Sequence, residues 1–159
     1  MSGEFTHFDQ GGNAIMVDVS EKAATKRKAV AQGMINLGEE AMAAVKNLKV
    51  KKGDVLGVAR VAGIMAVKQT SSLIPMCHTL LITSCGIEFE VNAEDNIIKA
   101  YCTVEVEGKT GVEMEALTGV SVALLTIYDM CKAINREMVI SDIMLVEKSG
   151  GKSGTFIRE

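Results

Sequence analysis

The chain has 159 residues, of which 48% are hydrophobic. This length allows a single domain with its own core, so neither a metal nor a disulfide is needed to hold the fold together. The formal net charge of −3 argues against DNA or RNA as the main partner, because binding along a phosphate backbone requires a basic surface. No secretory signal and no apolar run of about 18 residues is visible, which predicts a cytoplasmic protein that does not enter a membrane.

The first half of the chain predicts two strand-like segments and two helices. Residues 14–20 read as a strand, and residues 28–37 are compatible with a strand or a helix, with Gly33 favouring the strand. A short helix is predicted over residues 39–48. A long helix follows over residues 54–73, with Asp54 as its cap, and ends before Pro75.

The second half predicts a strand pair, a principal helix and a last strand. The strands cover residues 80–91 and 97–106, joined by a turn at 92–96. The principal helix lies within residues 108–135, and residues 138–148 form the last strand. This order indicates an α+β, ferredoxin-like split βαβ sandwich: an antiparallel sheet with two long helices on one face and a short extra helix. We expect one domain over residues 1–159, with 1–13 and 149–159 flexible.

The principal helix is apolar on one side and partly polar on the other. At about 100° per residue, its predicted buried stripe consists of Leu117, Val120, Leu124, Ile127, Tyr128 and Cys131. The small, polar side suggests contact with something other than bulk water. Asp129 and Lys132 are spaced as an ordinary helical ion pair, or as an acid–base pair. Glu115 lies fourteen residues before Asp129, about 20 Å along the helix, so the two cannot act on one bond within one subunit.

Two further segments carry chemistry-bearing residues, each with a second interpretation. The sequence KSGGKSG, residues 148–154, is suited to phosphate binding through its lysines, hydroxyls and glycine amides, or is a flexible tail. His78 either contacts a ligand or bonds to local backbone. Cys77 beside it need not be a nucleophile, and His7 reads as an ordinary surface histidine. We expect all four cysteines, none in CxxC spacing, to be reduced: Cys77, Cys85, Cys102 and Cys131.

Seven motifs between about residue 6 and residue 155 resemble the MoaC family, the cyclic pyranopterin monophosphate synthases of molybdenum cofactor biosynthesis. In chain order they are MVDVS, KGD, AGIMAVK, IPMCH, GKTGVEMEALT, LTIYDMCKA and KSGGKSG. The resemblance implies a ferredoxin-like fold and conversion of 3′,8-cyclo-7,8-dihydroguanosine triphosphate to cyclic pyranopterin monophosphate, with loss of pyrophosphate. It also implies a homohexamer, a trimer of dimers, with the site between subunits. We expect neither a metal nor a redox cofactor. We do expect transient contact with the upstream radical enzyme.

The resemblance assigns roles to particular residues. Catalysis is carried over to Asp129, Lys52 and Lys132. Substrate contacts are carried over to the remaining family positions, with Lys152 added as a further cation for the triphosphate: Met76, Cys77, His78, Met114, Glu115, Glu113, Lys68, Lys148 and Lys152. The chain departs from the family at Thr79, where proline is common after the histidine; this change removes no functional group. A non-catalytic module that senses a nucleotide or metabolite is the competing hypothesis, because the fold alone permits it.

Overall fold

The computed structural model describes residues 7–9, 11–47 and 54–159. Within these residues, five strands and three helices follow one another in the order β1 (Thr25–Asn36), α1 (Glu39–Lys46), α2 (Val55–Leu73), β2 (Ser84–Asn92), β3 (Ile97–Gly108), α3 (Glu113–Cys131), β4 (Val139–Ser149) and β5 (Phe156–Ile157). All strand pairs are antiparallel, and the sheet order is β2-β3-β1-β4-β5. The predicted α+β, ferredoxin-like fold is therefore confirmed.

The strand interpretation of residues 28–37 is correct, and Gly33 has a packing role within β1. A side chain at Gly33 would place its Cβ 2.7 Å from Leu124 Cδ1 of α3 and 2.9 Å from Ile143 Cγ1 of β4. The pairing of β1 with β4 is irregular at this point, and Asp142 in β4 has φ 52°. Glycine therefore leaves room both for the helix and for the irregular stretch of β4.

The two long helices approach each other backbone to backbone. An added Cβ at Gly63 of α2 would lie 2.9 Å from the carbonyl oxygen of Gly119 in α3. An added Cβ at Gly119 would lie 2.6 Å from Cys102 Sγ and 2.7 Å from Val67 Cγ2. The small side of the principal helix therefore packs partly against α2. At the start of α2, the Asp54 carboxylate accepts from the Gly57 amide at 2.9 Å, which confirms the predicted cap.

Residues 14–20, predicted as a strand, do not form one. Ala14 makes an isolated bridge to Phe8, and the following backbone meets side chains instead of a sheet. The carbonyl of Val17 lies 2.8 Å from His78 Nε2, and that of Ser20 accepts from Lys109 Nζ at 2.7 Å. The alternating apolar pattern was misleading because Val17 and Val19 line a cavity instead of facing a strand partner.

The start of one predicted strand differs by four residues, and one short strand was not predicted. The strand expected over residues 80–91 begins at Ser84, where its pairing with β3 starts opposite Glu105. The short strand β5 was not predicted, since two residues give no readable periodicity. Both differences concern segments at the sheet margin.

Helix α3 alone, among the helices of the described residues, is long and apolar enough to cross a membrane. Half of that stretch is buried inside the domain. Its side chains Val120, Leu124 and Ile127 have no exposed surface, because they form part of the hydrophobic core. Its apolar character is thus explained by the core that it fills.

Candidate functional site

A cavity of about 300 Å³ opens where α2 has ended and α3 begins. It brings together six residues carried over by the resemblance, from two segments far apart in sequence: Met76, Cys77, His78, Glu113, Met114 and Glu115. The remaining wall comes from the N-terminal segment, Leu80 and the turn before α3: His7, Val17, Val19, Lys22, Leu80, Thr110 and Gly111. The cavity can therefore enclose a small molecule between an apolar wall and a few polar groups.

Glu115 is the buried acid of this cavity. Its side chain is only 4% exposed, and burial raises the pKa of its carboxyl, with a further contribution from the charge of Glu113. Burial, followed by the charge of Glu115, likewise raises the pKa of the Cys77 thiol. Cys77 therefore remains a thiol rather than a nucleophilic thiolate, whereas Glu115 retains a proton more readily than an exposed glutamate. This arrangement suits a proton donor or a hydrogen-bonding group for a ligand.

His78 is fixed by a distant backbone group. Its Nε2 lies 2.8 Å from the carbonyl oxygen of Val17, which can only accept, so Nε2 carries the proton. In the neutral tautomer with this proton, Nδ1 is the acceptor of the ring. The ring therefore bonds to distant rather than local backbone and lines the cavity, and its contact with a ligand stays a prediction.

His7 also lines the cavity, although the sequence suggested an ordinary surface histidine. The turn that follows it is organised by Asp9, whose carboxylate accepts from the amides of Gly11 at 2.9 Å and Asn13 at 2.8 Å. The Ile15 amide then donates to the His7 carbonyl at 2.9 Å. These contacts direct the chain back over the cavity, and only the short sequence of residues 9–13, DQGGN, could have suggested such a turn.

A basic recess of about 160 Å³ adjoins this cavity and shares four of its lining residues. Five cationic side chains line it: Lys22, Arg27, Lys28, Lys109 and Lys148. The hydroxyls of Ser149 and Ser153 line it as well, and Glu113 is the one acidic side chain among the described residues of its lining. Such a concentration of donors and positive charge suits a phosphate group. Lys148, predicted as a site residue, therefore lies beside the cavity of His78 and Glu115.

Contacts inside the recess hold its cations in place. Arg27 donates from Nε to the carbonyl of Gly108 at 3.0 Å and from Nη2 to that of Lys109 at 3.2 Å. Lys148 Nζ lies 3.6 Å from Glu113 Oε1 and donates to Ser153 Oγ. Lys152 lines a neighbouring cavity of about 420 Å³ that also includes Lys22 and Arg27. Sequence reasoning had missed Lys22, Arg27 and Lys28, and the basic run at the start of β1 was the available signal for Arg27 and Lys28 alone.

Asp129 and Lys132 lie at the opposite end of α3. Lys132 Nζ is 2.7 Å from Asp129 Oδ1, and both side chains are about half exposed. Fourteen residues of helix separate Asp129 from Glu115, about 20 Å, so one chain does not bring them together. Lys68 is exposed on α2, outside the cavity of Glu115, and Lys52 lies outside the described residues.

Comparison with known proteins gives a consistent picture. A sequence profile of the MoaC family matches residues 16–151. A protein of Clostridium perfringens called cyclic pyranopterin monophosphate synthase is 59% identical over 156 residues, 98% of this chain and 99% of that protein. A protein of the same name from Thermoanaerobacter pseudethanolicus is 60% identical over 97% of this chain and 98% of that protein. Another, from Desulfitobacterium hafniense, is 60% identical over 98% of this chain and 95% of that protein. With the profile matching most of its length and such relatives covering nearly all of it, the chain belongs to the MoaC family.

Proposed function

We propose that the chain is a lyase, a cyclic pyranopterin monophosphate synthase, acting early in molybdenum cofactor biosynthesis. It would convert (8S)-3′,8-cyclo-7,8-dihydroguanosine 5′-triphosphate to cyclic pyranopterin monophosphate and release pyrophosphate. The observation that carries this proposal is the juxtaposition of the cavity lined by His78 and Glu115 with the basic recess around Lys148. A guanine-derived ring joined to a triphosphate has the same division into a compact polar ring and a chain of negative charge.

The chemistry of the lining residues fits the two parts of this reaction. Release of pyrophosphate develops negative charge on the leaving oxygens, which fixed cations such as Arg27 and Lys148 stabilise. Ring opening and reclosure require protons to move at defined atoms, and Glu115 can hold one in the buried part of the cavity. His78 and Met76 would orient the ring, because they belong to the segment that closes one side of the cavity.

We place catalysis by Asp129, Lys132 and Lys52 at a site shared between subunits. Contacts between Gly63 and Gly119, and between the segment after α2 and the start of α3, indicate that the two helices run in opposite directions. The start of α2 is then at the same end of the domain as Asp129. Lys52 stands two residues before Asp54 in the sequence but lies outside the described residues, so its assignment to this site rests on the family resemblance alone.

A second subunit is the proposed source of those groups for the cavity of the first. Five large apolar side chains of α2 and α3 are about half exposed: Val58, Val61, Met65, Leu73 and Leu125. A two-fold pairing through these helices would bring the Asp129 end of one chain towards the Glu115 end of the other. The homohexamer implied by the family resemblance, a trimer of such dimers, would contain three pairs of sites.

The proposed enzyme acts on a small molecule and needs neither a metal nor a redox cofactor. Among residues that the structure describes, no three His, Cys, Asp or Glu side chains are grouped as metal ligands would be. We further propose a cytoplasmic location, no nucleic-acid or membrane partner, and transient contact with the radical enzyme that makes the substrate.

Incubation of the purified protein with the cyclic triphosphate tests the proposal, with pyrophosphate and pterin formation as the readouts. Lys132→Ala should lower turnover by several orders of magnitude, as expected when catalytic groups act as one unit. Lys99→Ala, on an exposed position of β3, is the matched control and should leave turnover unchanged. Tight binding without turnover in the wild-type protein would favour the sensor hypothesis instead.

A further inference from the structure

The chain returns to the sheet after the glycine-rich segment and pairs with the strand that carries Lys148. In β5, Phe156 pairs with Lys148 and Ile157 with Glu147. The next residue, Arg158, donates from its amide to the carbonyl of Val146 at 2.8 Å. Strand β5 and Arg158 are thus attached to the outer edge of β4, directly beside the basic recess.

The side chain of Arg158 strengthens this attachment. Its Nε donates to the carbonyl of Leu145 at 2.8 Å, and its guanidinium lies 5.8 Å from the centre of the Phe156 ring. The carbonyls of two consecutive residues of β4, Leu145 and Val146, are therefore bonded by one residue. Pairing between β1 and β4 is irregular at Val30 and Ala31, opposite this stretch, so the attachment supports β4 beside one of the two irregular points of its pairing with β1.

The loop between β4 and β5 also packs against β1. Gly150 and Gly151 have φ of 92° and 74°, a conformation that favours glycine. An added Cβ at Gly150 would lie on the carbonyl oxygen of Lys26, and one at Gly151 on the Arg27 guanidinium. Lys148 Nζ bonds to Ser153 Oγ across the loop. The loop is therefore held by β1, by Lys148 and, through β5, by β4.

We infer that β5 and Arg158 form a clasp that positions the loop of residues 150–155 for phosphate binding, with Arg158 as a positioning residue. A loop fixed at both ends loses less conformational freedom when a ligand binds than a loop with a free end. Ser153 would then lie beside Lys148 before the phosphate arrives. This inference differs from the sequence-based expectation that residues 149–159 are flexible, and it assigns a role to residues after KSGGKSG.

Arg158→Ala removes the side-chain bond and the ring contact while leaving every lining residue of the recess in place. We expect KM for the triphosphate to rise about tenfold, from the loss of a net hydrogen bond and of loop ordering. The value of kcat should stay within about twofold, because no group that reacts is removed. Arg158→Lys, which keeps a donor near Leu145, should restore part of the affinity. Arg136→Ala, an exposed arginine before β4, is the matched control.

A second readout does not depend on catalysis. Trypsin cleavage after Lys152, followed by mass spectrometry, should become severalfold faster in Arg158→Ala and in a chain shortened to end at Thr155. Unchanged KM together with unchanged cleavage in both variants would overturn the inference. Should Arg158→Ala fail to fold, Phe156→Ala and the shortened chain carry the same comparison, with thermal unfolding measured for each.

The KM readout rests on the proposed function, whereas the proteolysis readout does not. A wild-type protein without turnover, but with Lys152 cleavage controlled by Arg158, would refute the proposed function and support the clasp. An active protein whose KM and cleavage are both independent of Arg158 would refute the clasp alone. The two experiments therefore separate the two ideas.

Discussion

The closest contact between the long helices makes Gly119→Ala an informative substitution. The new methyl carbon would lie 2.6 Å from Cys102 Sγ and 2.7 Å from Val67 Cγ2, whereas carbon atoms in contact are about 3.5–4.0 Å apart. Cys102 and Val67 are almost fully buried, so neither can turn away into solvent. Relief of the overlap requires α3 to move by about 1 Å from the sheet or from α2.

Two opposing effects set the size of the change. Alanine is favoured over glycine inside a helix by about 1 kcal/mol. Overpacking a well-filled core costs about 1–3 kcal/mol, and two simultaneous overlaps point to the upper part of that range. We therefore expect Gly119→Ala to lower the free energy of unfolding by about 1–2 kcal/mol.

Urea unfolding followed by circular dichroism measures this change at fixed protein concentration. Gly86→Ala is the matched control, because an added Cβ in that part of β2 would have nothing within 4 Å. It should leave stability unchanged or slightly raise it. Val67→Ala in the Gly119→Ala background removes the clashing methyl group, so the double variant should be more stable than the two single losses added together predict.

The result that would refute this reasoning is a Gly119→Ala protein as stable as wild type. Strict additivity of Gly119→Ala and Val67→Ala would also refute it, because it would mean that the two side chains do not compete for one space. A loss of stability in Gly86→Ala equal to that in Gly119→Ala would point to a general effect of alanine rather than to helix spacing.

Four further outcomes follow from the site. As the pH rises above 4.5, the free energy of unfolding of the wild-type protein should fall relative to that of Glu115→Gln. The raised pKa of Glu115 in the folded state means that its protonated carboxyl contributes stability, and this contribution is lost as the pH rises through the folded-state pKa. Unfolding midpoints that change in parallel with pH in the two proteins would contradict this prediction. A mixture of Glu115→Gln and Asp129→Ala chains should regain part of the turnover, because some subunit pairs then contain one intact site. A mixture that stays inactive although subunits are shown to exchange would place both residues in the site of a single chain. Combined Lys148→Ala and Lys152→Ala should weaken pyrophosphate binding and flatten its dependence on salt, as titration calorimetry would measure, whereas equal slopes would remove both lysines from the phosphate site. Treatment with a chelator should leave turnover unchanged, and a loss restored by one added metal would contradict that expectation.

The order of elements could be predicted because their periodicities are distinct. The prediction failed at residues 14–20, where Val17 and Val19 alternate as in a strand but line a cavity. A pattern of alternating residues reports which side chains are covered, not what covers them. Strand β5 escaped prediction for the opposite reason, since its two residues are held by pairing and by Arg158 rather than by a pattern of their own.

The candidate site was only partly predictable for a related reason. His78 and Glu115 could be identified from motifs along the chain, and the structure brings them to one cavity. Arg27 and Lys22 carry no motif, and their role depends on β1 lying beside the turn before α3. Charges in a short basic run are usually interpreted as a solvated face, and only tertiary packing distinguishes a recess from such a face.

Helix α3 begins with Glu115 near one end and finishes with Asp129 at the other. In the proposed subunit pair, each α3 would then contribute to both sites, because its two ends contact different substrate molecules. A tilt of α3 on binding of one substrate would displace the residues that bind the second. The two sites would consequently be linked mechanically, and substrate binding would be expected to show a Hill coefficient different from unity.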